Sequence, residues 1–132
     1  MPEEGTMSAA MAMRRRILGD EYVDRASAGL DDAGRDFQQH IVDSAWAVWC
    51  RPGLATRDRS LLVMAMTAAT GRMEEFALHA RASARAGVTA EEIDELVLQL
   101  AAYCGAPAAV SARRVLLGVR AEAAAAAAVE PE

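Results

Sequence analysis

Arg72, Glu75 and His79 stand three and four residues apart within Gly71-Arg72-Met73-Glu74-Glu75-Phe76-Ala77-Leu78-His79. On a helix that spacing stacks a guanidinium, a carboxylate and an imidazole along one strip. A glutamate one turn before a histidine can accept the imidazole N–H, fix its tautomer and favour its protonated form. Arg72 can bind the same glutamate or a substrate carboxylate. Spacing alone also fits a surface ion pair, since Glu-x-x-x-His recurs by chance on many helices. The neighbourhood favours a site: Ala82, Ser83 and Ala86 on the same flank leave room for a ligand, and a loop arginine, Arg51, and the tryptophans can line it. Asp36, His40 and Asp43 also share a helix face, but with no second histidine to complete a metal site they read as a solvated polar face, and no metal is expected. Neither a glycine-rich phosphate loop nor a serine-centred elbow occurs.

The elements that must hold these residues can be read from caps and breaks. Met73, Phe76, Ala77, Ala80 and Ala84 form a second strip, so the helix carrying His79 packs on one side and offers chemistry on its flank. Gly87 ends it as a left-handed cap. Thr89-Ala90-Glu91-Glu92 is a capping box, opening a helix with Ile93, Leu96, Val97 and Leu100 inward. Tyr103-Cys104-Gly105-Ala106-Pro107 closes that helix, and a last one runs from Ala108 to about Ala124, extended by the Ala123–Ala128 run.

Upstream, Gly19-Asp20 interrupts an apolar pattern over Arg14–Ser27, giving one broken helix or two short ones. Asp31 and Asp32 offer caps for a helix to Trp49 with Phe37, Ile41, Ala45 and Val48 on its core stripe, broadened by Val42, Trp46 and Trp49. Arg51-Pro52-Gly53-Leu54 breaks it. Thr56 can cap the next helix, Arg57 to about Thr70, whose Leu61–Ala69 part has no polar face. A helix apolar all round must be surrounded, and so small a domain has too few partners, which implies burial against another copy of the chain.

The 132 residues suit one domain, taken as 13–126 between a loose N-terminal tail, 1–12, and a frayed C-terminal tail, 127–132. A hydrophobic fraction of 53% with only 5% aromatics favours close-packed helices, an all-α protein. The net charge of −5 gives no field towards nucleic acid or an anionic membrane, and Arg14-Arg15-Arg16 reads as a solvated first helical turn. Cys50 and Cys104 form no Cys-x-x-Cys motif and read as small buried residues. Met1–Met13 lacks a secretory signal's apolar run, and Ser60–Gly71 is too short to span a bilayer, so a soluble, cytoplasmic protein is expected.

Taken together, Arg15-Arg16-Ile17-Leu18-Gly19-Asp20 with Val23-Asp24-Arg25, Trp46 with Trp49-Cys50-Arg51-Pro52-Gly53-Leu54, Arg59-Ser60-Leu61-Leu62, Arg72-Met73-Glu74-Glu75 with His79, Gly87-Val88-Thr89, Glu92-Ile93, Gln99 and Tyr103-Cys104-Gly105-Ala106-Pro107-Ala108-Ala109 give a resemblance that runs almost end to end. The chain resembles the carboxymuconolactone decarboxylase branch of the carboxymuconolactone decarboxylase and alkylhydroperoxidase-D-like superfamily. The resemblance implies a bundle of about six helices that assembles as a ring, typically a hexamer. The peroxidase branch carries Cys-x-x-Cys before the histidine. Here those two places hold Arg72 and Glu75, which excludes disulfide-based peroxide reduction from this site.

The reaction the resemblance implies is cofactor-free decarboxylation of 4-carboxymuconolactone to the enol-lactone of β-ketoadipate in protocatechuate breakdown. Such a protein must grip two carboxylates, stabilise an oxyanion and protonate carbon. His79 would be the proton donor or the donor to the oxyanion, oriented by Glu75. Arg51 and Arg72 would hold carboxylates, with Trp49 and Tyr103 as walls. A non-catalytic helical oligomer of the same fold, binding a small carboxylate, stays open beside it.

Overall fold

The computed structural model describes residues 7–129, and among them every regular element is helical. The chain divides into two compact units, Met1–Arg59 and Ser60–Glu132.

In the first unit, Ser8 caps α1 (Ala9–Leu18) by accepting a hydrogen bond from the Met11 N–H at 3.1 Å. Helix therefore begins within the stretch expected to be a loose tail, because the Ser8 hydroxyl satisfies an orphan N–H at the start of an alanine- and methionine-rich segment. Residues 1–6 lie outside the described part of the chain. Gly19, at φ 90° and ψ 144°, adopts a conformation open to glycine alone, and so splits the Arg14–Ser27 pattern into α1 and α2 (Asp20–Ser27).

The Arg14-Arg15-Arg16 run is not a solvated turn. Arg16 is exposed, but Arg15 binds Asp20 and Asp24 at 3.1 and 2.8 Å, and Arg14 is buried. Arg14 falls three and four residues before Ile17 and Leu18, on the face that α1 turns inward.

Asp31 caps α3 (Asp32–Ile41) through the Gly34 N–H at 2.8 Å. The helix passes through a π-helical turn, Val42–Trp46, into the short α4 (Ala47–Trp49). Its buried stripe is Val42, Trp46 and Trp49, whereas Phe37 is 67% exposed and Ile41, Ala45 and Val48 also face out. The expected stripe is displaced because the two indoles stack at 5.1 Å and bring more apolar area than the side chains they displace from the interior. Cys50 and Cys104 are both exposed rather than buried, each standing beside a helix-terminating break that faces outward.

The division between units falls inside α5 (Thr56–Ala69). In the second unit, α6 (Met73–Ala86), α7 (Ala90–Cys104) and α8 (Ala106–Val129) close on the inner face of α5. Met64, Ala68, Phe76, Ile93, Val97 and Leu116 are at the centre of that core. Thr89 and Glu92 complete both halves of the capping box at 3.1 and 2.9 Å. Leu62 and Met66, on the outer face of α5, remain exposed.

Candidate functional site

The turn between α5 and α6 fixes the start of the site. Gly71 takes φ 76°, the Arg72 N–H reaches back to the Thr67 carbonyl at 2.8 Å, and the Gly71 N–H reaches Ala68 at 3.3 Å. This pair of bonds around a left-handed glycine is a Schellman closure, and it explains why glycine precedes Arg72. The Arg72 carbonyl then accepts the Phe76 N–H at 2.9 Å, opening α6. Arg72 is thus the residue before the helix, at φ −88° and ψ 68°, not a member of its first turn as the spacing predicts. Its backbone is held on both sides while its guanidinium is exposed. Glu74 and Glu75 occupy the first turn, where carboxylates oppose the positive end of the helix dipole.

His79 lies one turn beyond Glu75 on α6 and is only 8% exposed. Burial drives its pKa down from 6.5 to about 4, against the opposing pull of the Glu75 charge. Glu75 does favour the charged imidazole, but Glu75 is exposed and its charge is screened by water, so desolvation is the larger effect. At neutral pH His79 is neutral, and a neutral imidazole still carries one N–H to donate and one lone pair to accept. Such a group can hydrogen-bond a developing oxyanion without first losing a charge to desolvation.

The other residues singled out by sequence occupy different places. Tyr103, at the end of α7, is 80% exposed. Trp49 is a buried residue of the first unit, stacked on Trp46. Arg51, also in the first unit, is exposed just past α4. There the Arg51 carbonyl accepts from Arg59 Nη2 at 3.1 Å, which ties down the Arg51-Pro52-Gly53-Leu54 loop. The structure thus unites Glu75 and His79 on one helix, with Arg72 at its threshold.

Ala82, Ser83 and Ala86 are buried rather than facing an open flank. Ser83 lines a cleft of about 440 Å³ among α6, α7 and α8, with Ile93 and Leu116 among its apolar walls. The cleft's arginines are already bonded to carboxylates, Arg81 to Glu122 and Arg120 to Asp94, each at 2.9 Å. Asp36, His40 and Asp43 are exposed, and among the described residues no three His, Cys, Asp or Glu side chains gather as a metal site.

The fold and this site define an all-helical protein, among the described residues, with a buried imidazole of lowered pKa one turn beyond an acidic helix start. The model of the carboxymuconolactone decarboxylase family matches residues 35–118, across both units. The chain is similar to the 4-carboxymuconolactone decarboxylase of Acinetobacter baylyi, with 39% identity over 113 residues, covering 85% of this chain and 84% of that protein. It is also similar to the nitrosuccinic acid decarboxylase npaB of Metarhizium robertsii, with 40% identity over 101 residues, covering 76% and 71% of the two chains. The chain belongs to the carboxymuconolactone decarboxylase family.

Proposed function

We propose that this protein is a carboxy-lyase that converts 4-carboxymuconolactone to the β-ketoadipate enol-lactone and carbon dioxide without a cofactor, in the breakdown of protocatechuate. The observation that carries this reading is the likeness to the Acinetobacter decarboxylase over most of both chains. The desolvated His79 supplies a group suited to the chemistry.

In this substrate the departing carboxylate sits one double bond from the lactone carbonyl. As the bond to carbon dioxide breaks, its electron pair moves through the double bond onto the carbonyl oxygen, giving a dienolate. A proton then adds to the carbon next to the carbonyl. Charge leaves a carboxylate and appears on an oxygen, so a neutral donor in a dry site favours the transition state over the substrate. His79 takes that role, and its low pKa supports hydrogen-bond donation to the oxyanion over delivery of a proton from a resident imidazolium. Glu75 orients the ring from the preceding turn. Arg72 and Arg51 hold carboxylates, since the planar guanidinium matches them. Trp49 and Tyr103 are the weaker assignments, as walls.

The working form in this reading is a cytoplasmic homo-oligomer, a hexameric ring. Exposed Leu62 and Met66 on α5 support assembly, because an apolar helix face gains by being covered.

The test is to supply freshly generated 4-carboxymuconolactone to the purified protein, without metal or cofactor, and follow carbon dioxide against the spontaneous rate. Release above background that vanishes in His79→Ala is the expected result. Release no faster than background would leave a non-catalytic helical oligomer that binds small carboxylates.

A further inference from the structure

The cleft among α6, α7 and α8 lies wholly within the second unit, and the reaction proposed at His79 uses none of the residues that line it. Its volume of about 440 Å³ is that of a pocket for a small organic molecule. The hollow follows from the sequence. Where the three helices come together the chain supplies Ala84 from α6, Ala90 from α7 and Ala123 from α8, each offering one methyl group and each exposed at the opening. Beneath them Val88, Ile93 and Leu116 are 4, 3 and 2% exposed and form an apolar floor.

Interlocking side chains ordinarily fill the space between packed helices. Here two arginines brace the rim of a gap. Arg81 donates through Nε and Nη2 to both carboxylate oxygens of Glu122, at 2.9 and 3.3 Å, and so ties α6 to α8. Arg120 donates to Asp94 and to the Ala90 carbonyl, both at 2.9 Å, and so ties α8 to α7. The braces decide the charge of what fits. Each guanidinium is matched by a carboxylate, so an anion would have to displace Glu122 or Asp94 from an intact pair, and a cation would have to displace an arginine. An uncharged molecule leaves both pairs in place.

One polar side chain stands in the cleft wall below the surface. Ser83 is 8% exposed, and its hydroxyl donates to the Ala80 carbonyl at 2.7 Å. That bond uses the hydroxyl's single proton and leaves the oxygen able to accept. The wall therefore offers apolar area together with an acceptor at depth.

We infer that this cleft is a second ligand site, which takes an uncharged, compact apolar molecule bearing one hydroxyl group. The apolar body covers Val88, Ile93 and Leu116, and the hydroxyl donates to Ser83 Oγ. The inference is independent of the decarboxylase reading, since it needs neither His79 nor turnover.

The experiment titrates three probes into the full-length protein at neutral pH: 2-naphthol, 2-methoxynaphthalene, which cannot donate a hydrogen bond, and 2-naphthoate, which is charged. Saturable binding of one 2-naphthol per chain is expected by fluorescence, with 2-naphthoate at least tenfold weaker. Ser83→Ala is expected to weaken 2-naphthol roughly fivefold, about what one hydrogen bond contributes, and to leave 2-methoxynaphthalene within twofold. Ala84→Trp and Ala123→Trp place an indole in the opening from α6 and from α8. Because both alanines are exposed, these variants are expected to keep wild-type helix content by circular dichroism while weakening 2-naphthol tenfold or more. Ser83→Ala carries the test if the bulky variants fail to fold.

No saturable binding of 2-naphthol by wild type would overturn the proposal. Affinity within twofold of wild type in all the folded variants would overturn the location, and 2-naphthoate binding as tightly as 2-naphthol would overturn the uncharged class. Wild type that takes no 2-naphthol, with Ala84→Trp lowering the mass measured by light scattering, would give the cleft to a second copy of the chain instead. Carbon dioxide release from 4-carboxymuconolactone is read separately, so a protein without that activity can still show this site, and the reverse.

Discussion

A neutral and a cationic imidazole would do different work at the proposed centre, and the burial of His79 separates them. With a pKa of about 4 in the fold against 6.5 when free, the unfolded chain binds more protons than the folded one between those values. Stability is therefore full above pH 6.5 and falls as pH drops towards 4, by about 3 kcal/mol from this residue alone. Melting curves of wild type and His79→Gln across that window should converge as the acid is approached, because the variant lacks the titration. For activity, an uncharged donor predicts that kcat does not decline between pH 6 and pH 8. A steady loss over that range in a buffer series would indicate a cationic acid instead. Removing the donor in His79→Ala should lower kcat by roughly 100- to 1,000-fold, the usual effect of losing one oxyanion donor. The position of His79 was legible in the sequence because a spacing of four is local. Its charge state was not, because desolvation depends on what packs over the ring.

At the scale of elements, the breaks were easier to read than the faces. The capping box at Thr89 and Glu92 and the left-handed Gly87 need only neighbouring backbone, so composition announces them. Which stripe of α3 to α4 turns inward depended on two tryptophans finding each other, and Phe37 and Val48 lost that competition. Gly71 carries a further consequence for the site. A Cβ there would meet no atom within 4 Å, so the penalty for Gly71→Ala comes from the positive φ alone. That penalty should be about 1 kcal/mol in a urea melt. Because the same turn holds the backbone of Arg72, the variant is also expected to raise KM while folding normally. Thr89→Ala, far from this turn in sequence, should cost a similar ~1 kcal/mol through its lost cap and leave KM unchanged.

For the whole molecule, the family relationship covers a chain that packs as two units, with the boundary inside one continuous helix. The all-helical class followed from alanine-rich, aromatic-poor composition, whereas the two-unit packing did not, since nothing in α5 marks residue 59 as a border. The outer face of α5 bears on assembly. Met66 is 59% exposed, and Leu62 lies one turn before it. If this face joins subunits, Met66→Glu should shift the mass measured by light scattering from oligomer towards monomer, with little change in helix content by circular dichroism. An unchanged mass would place the contact elsewhere. Cys50 and Cys104, exposed and one in each unit, give that question a chemical answer as well. A thiol reagent added to the native protein should modify both sulfurs wherever the surface stays open. A cysteine that reacts only after dilution or mild denaturant would identify, by mass spectrometry of the labelled peptide, the unit that association shields.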